Sequence, residues 1–271
     1  MFINPDWRIL TVGDGDLSFS LSLQQYYQPR LLVASVLDSL DTLTDKYAQH
    51  AYHQLTRAGV AVLNSVDVTN PQTWQGIGEQ SFDLVVFQFP LIPNFVEKGE
   101  FEKQRQIGSN NLLNRRLLHL FLKHAQQYWL DPQGQGLCYI SSKDVKPYLE
   151  WNLEGSLADG LPVFYQGSMP FEIERFPGYR LRNVDRDKFV KDTQGTTHVW
   201  ATHSIKDPQL HQTLVANPYA DESLFCSMCR KGPFLTELEK ANHQQSAKHL
   251  KLATLEQEWQ GYLVSLSASE F

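Results

Sequence analysis

The sequence predicts an α/β fold: a mainly parallel sheet with helices on both faces, followed by a small metal-binding tail. Three observations carry this expectation. Apolar runs of strand length alternate with segments of helical period, the pattern of strand–helix units joined by right-handed crossovers. The first run, residues 9–12, is cut off by Gly13 and Gly15 ahead of a Ser- and Leu-rich stretch, which reads as strand, tight turn and helix. Near the C-terminus, Cys226-x2-Cys229 and His243-x5-His249 have metal-ligand spacing.

Composition narrows the classes. With 271 residues, 42% of them hydrophobic, the chain can bury a full core. A formal charge of -6 and a pI near 5.8 exclude a protein that coats nucleic acid non-specifically, since that needs a basic surface, but they leave room for a local basic patch. There is no run of about 18 apolar residues, and residues 1–6 resemble no leader, so a soluble cytoplasmic protein with no membrane partner is expected, nucleolar if the host is eukaryotic. Three cysteines are too few for a disulfide framework and fit a reducing compartment. The expected organisation is an α/β domain over 1–205, a linker over 206–220 framed by Pro208 and Pro218, and a tail over 221–271.

Taken in order, the Gly13-Asp14-Gly15 turn suits a ligand, because a Cβ there would block positive φ and close backbone approach. Residues 31–37 form a second apolar run that ends on Asp38, about 23 residues beyond Gly15. An acid at that strand tip can accept from both hydroxyls of a ribose, or can simply begin a turn. Leu40, Leu43, Tyr47, Ala51 and Leu55 recur at helical spacing, and Gly59 stops that helix. A strand over 60–66 ends on Asp67, placed to accept from an adenine amino group or to open a turn before Pro71. Residues 82–90 read as a strand covered on both faces, whose end carries Gln88, an aromatic and a proline, with Gln88 facing the crevice. The loop over 91–102 would cover it. An amphipathic helix follows over 110–130, with Leu113, Leu117, Leu120, Phe121 and Ala125 as its core stripe. A fifth strand over 136–141 carries Cys138 as a small core residue, and Lys143 lies at its tip. Residues 147–159 read as a helix, and 163–165 and 197–202 as the last strands. The polar insert between those strands carries Arg180, Arg182, Arg186, Lys188 and Lys191 among Asp185, Asp187 and Asp192; it is a solvated loop or a phosphate contact.

Several blocks together resemble a known family: Val12-Gly13-Asp14-Gly15-Asp16-Leu17-Ser18-Phe19-Ser20, Asp38-Ser39, Val66-Asp67-Val68-Thr69, Phe87-Gln88-Phe89-Pro90, Asn114-Arg115, Lys143 before Pro147-Tyr148, Trp151-Asn152 and Phe176-Pro177-Gly178-Tyr179. They are similar to the signature blocks of the fungal large-subunit rRNA uridine-N3 methyltransferases. The resemblance implies a Rossmann-like class I methyltransferase sheet and S-adenosylmethionine-dependent methyl transfer onto RNA, at uridine N3 of rRNA or tRNA. It implies Gly13, Asp14 and Gly15 beneath the cofactor, Asp38 on its ribose and Asp67 near its adenine, with Ser18, Ser39, Val68 and Gln88 completing the cofactor-binding set. Two departures stand out: the family has Glu where Asp14 stands, and Asn with Phe-Pro-His where this chain has Gln88, Phe89, Pro90 and Leu91. A uridine N3 acceptor must lose a proton, so a stabilising cation helps; Lys143 is the catalytic candidate, with Gln88 holding the base edge.

In the tail, Cys226, Cys229, His243 and His249 make a closed tetrahedral set, which points to structural Zn2+. Phe225, Phe234 and Leu238 are expected as the core of this small finger. Histidines six apart do not share a face of an ideal helix, so the helix must bend or open between them. That spacing resembles the matrin and spliceosomal class of fingers, which implies contact with structured RNA; a protein partner is the other reading of the finger. Leu255, Trp259, Leu263 and Leu266 form a stripe expected to dock on the chain's own domain. Two competing functions remain open: cofactor-dependent group transfer to a small molecule, and a non-catalytic RNA-binding or assembly protein.

Overall fold

A computed structural model describes residues 1–92, 108–183, 186–189 and 195–269. Strands β1 (Arg8–Val12), β2 (Leu31–Ser35), β3 (Ala61–Leu63), β4 (Leu84–Gln88) and β5 (Leu137–Lys143) run parallel. Next come β6 (Phe164–Phe171), a small hairpin of β7 (Arg182–Asn183) and β8 (Arg186–Phe189), and β9 (Gly195–Ala201). The main sheet has the order β3-β2-β1-β4-β5-β9-β6, and β9 is antiparallel to both of its neighbours. Strand order reverses between β1 and β4, so their carboxyl ends splay into a crevice, the usual ligand position of a doubly wound sheet.

Side chains alternate between two cores because a strand has period two. Ile9, Leu32, Leu84 and Leu137 face one, and Leu10, Val33, Val85 and Cys138 face the other. Both faces are covered by helices: α1 (Ser18–Ser22), α2 (Leu40–Lys46), α3 (Tyr52–Arg57) and α4 (Asn110–His124). Three more follow: α5 (Pro208–Thr213), α6 (Glu237–Gln244) and α7 (Ala247–Ser269).

Several expectations need correction. The single helix over 40–55 is two, α2 and α3, although Leu43, Tyr47, Ala51 and Leu55 are all buried as its stripe requires. Tyr47 turns extended after α2, and the Ala51 N–H donates to the Asp16 carbonyl at 2.9 Å, so a bond to the glycine turn replaces the helical path. The helix over 147–159 is a single 3-10 turn, Tyr148–Glu150, followed by turns. Asn152 adopts a left-handed conformation (φ 47°) that ends helical propagation, while Trp151, Leu153 and Leu157 remain core residues. The stretch 206–220 is partly built into the sheet edge: α5 is capped by Asp207 and buries Leu210, and Val215 exchanges backbone hydrogen bonds with Ser168 on β6. Beyond Ile92, the loop expected to cover the crevice lies outside the described residues, as do Asp185, Lys191 and Asp192 of the insert.

The C-terminal stripe docks as expected. Trp259 is fully buried against α4, where it lies 4.6 Å from the Arg115 guanidinium and donates Nε1–H to the Ser156 carbonyl. Arg115 is itself buried and pairs with Glu256 at 2.9 Å, so the charge that α4 carries into the interior is answered by α7. Among the described residues no helix is long and apolar enough to cross a membrane.

Candidate functional site

Backbone hydrogen bonds stitch the strand-end loops together. Asp14 N–H donates to the Ser35 carbonyl, Val36 to Leu63, Val66 to Val36, Ser65 to the Asp38 carbonyl, and Phe89 to Ser141, all between 2.9 and 3.1 Å. The loops enclose a cleft of about 590 Å³, which suits a nucleoside-sized ligand. Gly13, Asp14, Gly15, Asp38, Asp67, Val68, Gln88 and Lys143 all line it. Five of the eight, Gly13, Asp38, Asp67, Gln88 and Lys143, stand at or just beyond the ends of five different strands, so the sheet topology is what gathers them.

Gly13 sits at φ +62°, and a Cβ there would come within 2.6 Å of the Phe87 ring; this position admits only glycine. Asp14 is buried and accepts from the Ser20 N–H and hydroxyl, so its carboxylate ties the turn to α1 rather than facing outward. Burial pushes its pKa up to about 7, against the hydrogen bonds from Ser20, which act to lower it.

The two strand-tip acids each keep an oxygen for a ligand. Asp38 Oδ2 pairs with Lys46 Nζ at 2.9 Å, and its Oδ1 has no protein donor among the described residues. Asp67 Oδ1 accepts from the Thr69 N–H and hydroxyl at 2.8 and 2.7 Å, which fixes the carboxylate, and its Oδ2 likewise has no protein donor among the described residues. Gln88 is 8% exposed; its Nε2 approaches Met1 Sδ at 3.6 Å, but its buried Oε1 has no partner among the described residues. An unpaired buried acceptor is costly and is relieved when a ligand N–H or O–H reaches it. Lys143 is 5% exposed, not a solvated loop lysine, and its Nζ stands 5.9 Å from the centre of the Phe89 ring.

Two residues of the proposed set lie off the cleft. Ser18 Oγ accepts from Arg180 N–H at 3.0 Å, and Ser39 caps α2 by accepting from Thr42 N–H. Both serve the backbone around the site. The Arg180 and Arg182 side chains turn inward from the insert: Arg182 Nε pairs at 2.7 Å with the buried Asp16, and Arg180 reaches the same carboxylate at 3.5 Å. Together with Tyr179 and Leu181 they lie along the rim of the cleft over the glycine turn. Lys46, Arg116 and Lys146, which the sequence does not mark as site residues, also line the cleft, as does Tyr47, expected only as part of a helical stripe. Lys46, eight residues past Asp38 in the last turn of a helix, was the one with a readable signal.

The tail brings Cys226, Cys229, His243 and His249 together, with one ligand atom from each lying within 4.8 Å of all the others. His249 Nδ1 is 3.6 Å from both sulfurs and 3.2 Å from His243 Nε2. Tetrahedral zinc with thiolate and imidazole bonds of about 2.3 and about 2.0 Å has ligand–ligand edges of about 3.3 to 3.8 Å, so the donor set fits that metal. The helix opens as the spacing required: α6 ends at Gln244, and α7 restarts at Ala247. Phe234 is buried and stacks on the His243 ring, but Leu238 is 70% exposed and is not part of the finger core. Burial and the neighbouring Cys226 push the Cys229 thiol up to about 12 when no cation is present to offset its charge.

Among known proteins, residues 10–183 match the family profile described as BMT5-like, rRNA (uridine-N3-)-methyltransferase BTM5-like. Heavy metal-associated isoprenylated plant protein 41 of Arabidopsis thaliana is 31% identical over 181 residues, 66% of this chain. The chain spans only 33% of that relative's length. An uncharacterized Arabidopsis thaliana protein is 29% identical over 64% of this chain and 79% of its own. Of solved structures, TrmK of M. capricolum in complex with S-adenosyl-homocysteine is 11% identical, with 96% of this chain and 92% of that chain covered and a TM-score of 0.43. Every residue lining the cleft falls within the matched stretch, and on that match the chain belongs to the BMT5-like rRNA (uridine-N3-)-methyltransferase family.

Proposed function

We propose that this chain transfers a methyl group from S-adenosylmethionine to RNA, at N3 of a uridine in rRNA or tRNA, and that its tail is held by structural Zn2+. The reading is supported by the family and by one observation in the cleft: Gln88, whose amide oxygen has no partner among the described residues, stands at the tip of β4 beside β5, whose tip carries the buried Lys143. The side-chain amide of Gln88 and the ammonium of Lys143 complement the two carbonyls that flank N3 of uracil, which leaves that nitrogen open to the methyl.

The cofactor supplies an electrophilic methyl carbon on a sulfonium, displaced in line without acid assistance to the leaving group. The protein's part is to hold and orient. Asp38 Oδ1 accepts from the ribose hydroxyls, Asp67 Oδ2 accepts from the adenine amino group, and glycines 13 and 15 let the backbone approach. Gln88 holds the base edge. The N3 proton, with an unperturbed pKa near the tyrosine value of about 10, leaves to water, and the ammonium of Lys143 stabilises the resulting charge on the adjoining carbonyl. Placing that nitrogen about 3 Å from the methyl carbon supplies much of the remaining rate. The four finger ligands leave no open coordination position, so their metal is structural.

Nucleoside mass spectrometry of rRNA and tRNA incubated with the protein and S-adenosylmethionine tests the reading. We expect 3-methyluridine to accumulate. Cofactor turnover that leaves every RNA nucleoside unmethylated would point to a small-molecule acceptor and sink the proposal.

A further inference from the structure

The C-terminal helix does more than cover α4. One turn beyond Trp259, the Tyr262 hydroxyl accepts from Arg116 Nε at 3.2 Å, and the Tyr262 ring packs 5.6 Å from that of Trp259. Arg116 lines the cleft. Its neighbour Arg115 is neutralised by Glu256, but no carboxylate among the described residues pairs with Arg116. It is a half-buried guanidinium, aimed by a neutral phenol and left with its charge unanswered. A second cleft residue, Lys146, is linked to α7 through Glu150, which takes Lys251 Nζ at 2.7 Å and Lys146 Nζ at 3.3 Å. The knuckle makes a third contact: Arg230, directly after Cys229, reaches Glu154 at 3.4 Å and Asp144 at 3.8 Å, and Asp144 adjoins Lys143. Each stretch that carries a cation of the acceptor wall is thus touched by the tail.

We propose that the C-terminal unit positions the acceptor: through Tyr262 it holds Arg116 at the cleft as a receiver for a phosphate flanking the RNA nucleotide that enters. This rests on the RNA reading above. A guanidinium fork held at one nitrogen keeps its remaining donors for a phosphate, which it binds in two-point fashion, and the absence of a competing carboxylate preserves the attraction. The tail therefore acts on substrate affinity as a fixed part of the active-site wall, not as a tethered grip on distant RNA.

The test is fluorescence anisotropy with a labelled oligouridylate over a salt series, paired with S-adenosylmethionine titrations of the same variants. Arg116→Ala is expected to weaken RNA binding about five- to tenfold and to lower the slope of log affinity against log salt by about 0.7 to 1, the loss of one phosphate contact. Arg116→Lys should restore the slope but not the full affinity. Tyr262→Phe, which keeps the ring on Trp259, should weaken binding severalfold with the slope unchanged. Cofactor affinity should stay at the parent value throughout. If the parent binds RNA and Arg116→Ala binds it equally well with the same slope, or if the variants lose cofactor affinity instead, the positioning role is wrong. A parent that binds no RNA takes down the RNA reading and this inference together.

Discussion

Asp38→Ala is expected to weaken S-adenosylmethionine binding about 100-fold while leaving the fold intact. A hydrogen bond to a charged acceptor contributes about 1.5 to 3 kcal/mol, and loss of the ribose contacts at about 3 kcal/mol in total corresponds to that factor. The variant also strips Lys46 of its partner at 2.9 Å, leaving an unanswered positive charge on the cleft wall beside a cofactor that is itself cationic at sulfur. Asp38→Asn keeps an acceptor oxygen and should lose less. Calorimetric titration reads both variants, with far-UV circular dichroism as the check on folding. An alanine variant that binds as the parent does would remove Asp38 from the ribose.

Cys229→Ser, or treatment with a strong chelator, is expected to release one equivalent of zinc and to unfold residues 221–246. The reason is the scarcity of anything else to hold them. Phe234 is the buried aromatic of the finger, whereas Leu235 and Leu238 are 80% and 70% exposed. Structural zinc contributes on the order of 10 kcal/mol to such units, far more than one aromatic can replace. The α7 segment around Trp259 has its own anchorage on Arg115 and Ser156 and should stay docked. Hydrogen exchange resolves the two regions: protection should vanish in 221–246 and persist near Trp259. Unchanged protection across the finger after metal removal would mean that the four ligands are a packing coincidence.

What was legible in the sequence follows from which forces are local. Strand tips are marked by where apolar runs stop, and the topology of a doubly wound sheet then gathers those tips, so Asp38, Asp67, Gln88 and Lys143 are assigned to one crevice by the sequence pattern alone. The opening of the tail helix between His243 and His249 was equally forced, by the helical repeat alone. The errors came where a distant partner overrides local preference. Nothing between Leu40 and Leu55 says that Ala51 N–H will leave the helix for the Asp16 carbonyl, and nothing near Trp151 announces a left-handed Asn152. Arg180 and Arg182 look like surface charges until Asp16, more than 160 residues away in sequence, is seen beneath them. The stripe through Trp259 was readable as a docking face, but its landing site on α4, and with it the role of Arg116, depended on a contact between residues 146 positions apart.

The central claim is that the carboxyl ends of β1, β2, β3 and β4 form the adenosyl site. A crystal structure of the protein with S-adenosylhomocysteine tests it most directly. The account predicts the ribose hydroxyls on Asp38 Oδ1, the adenine amino group on Asp67 Oδ2, and the sulfur facing Gln88 and Lys143. Density for the nucleoside anywhere else, or a cleft that stays empty at saturating ligand, would contradict it.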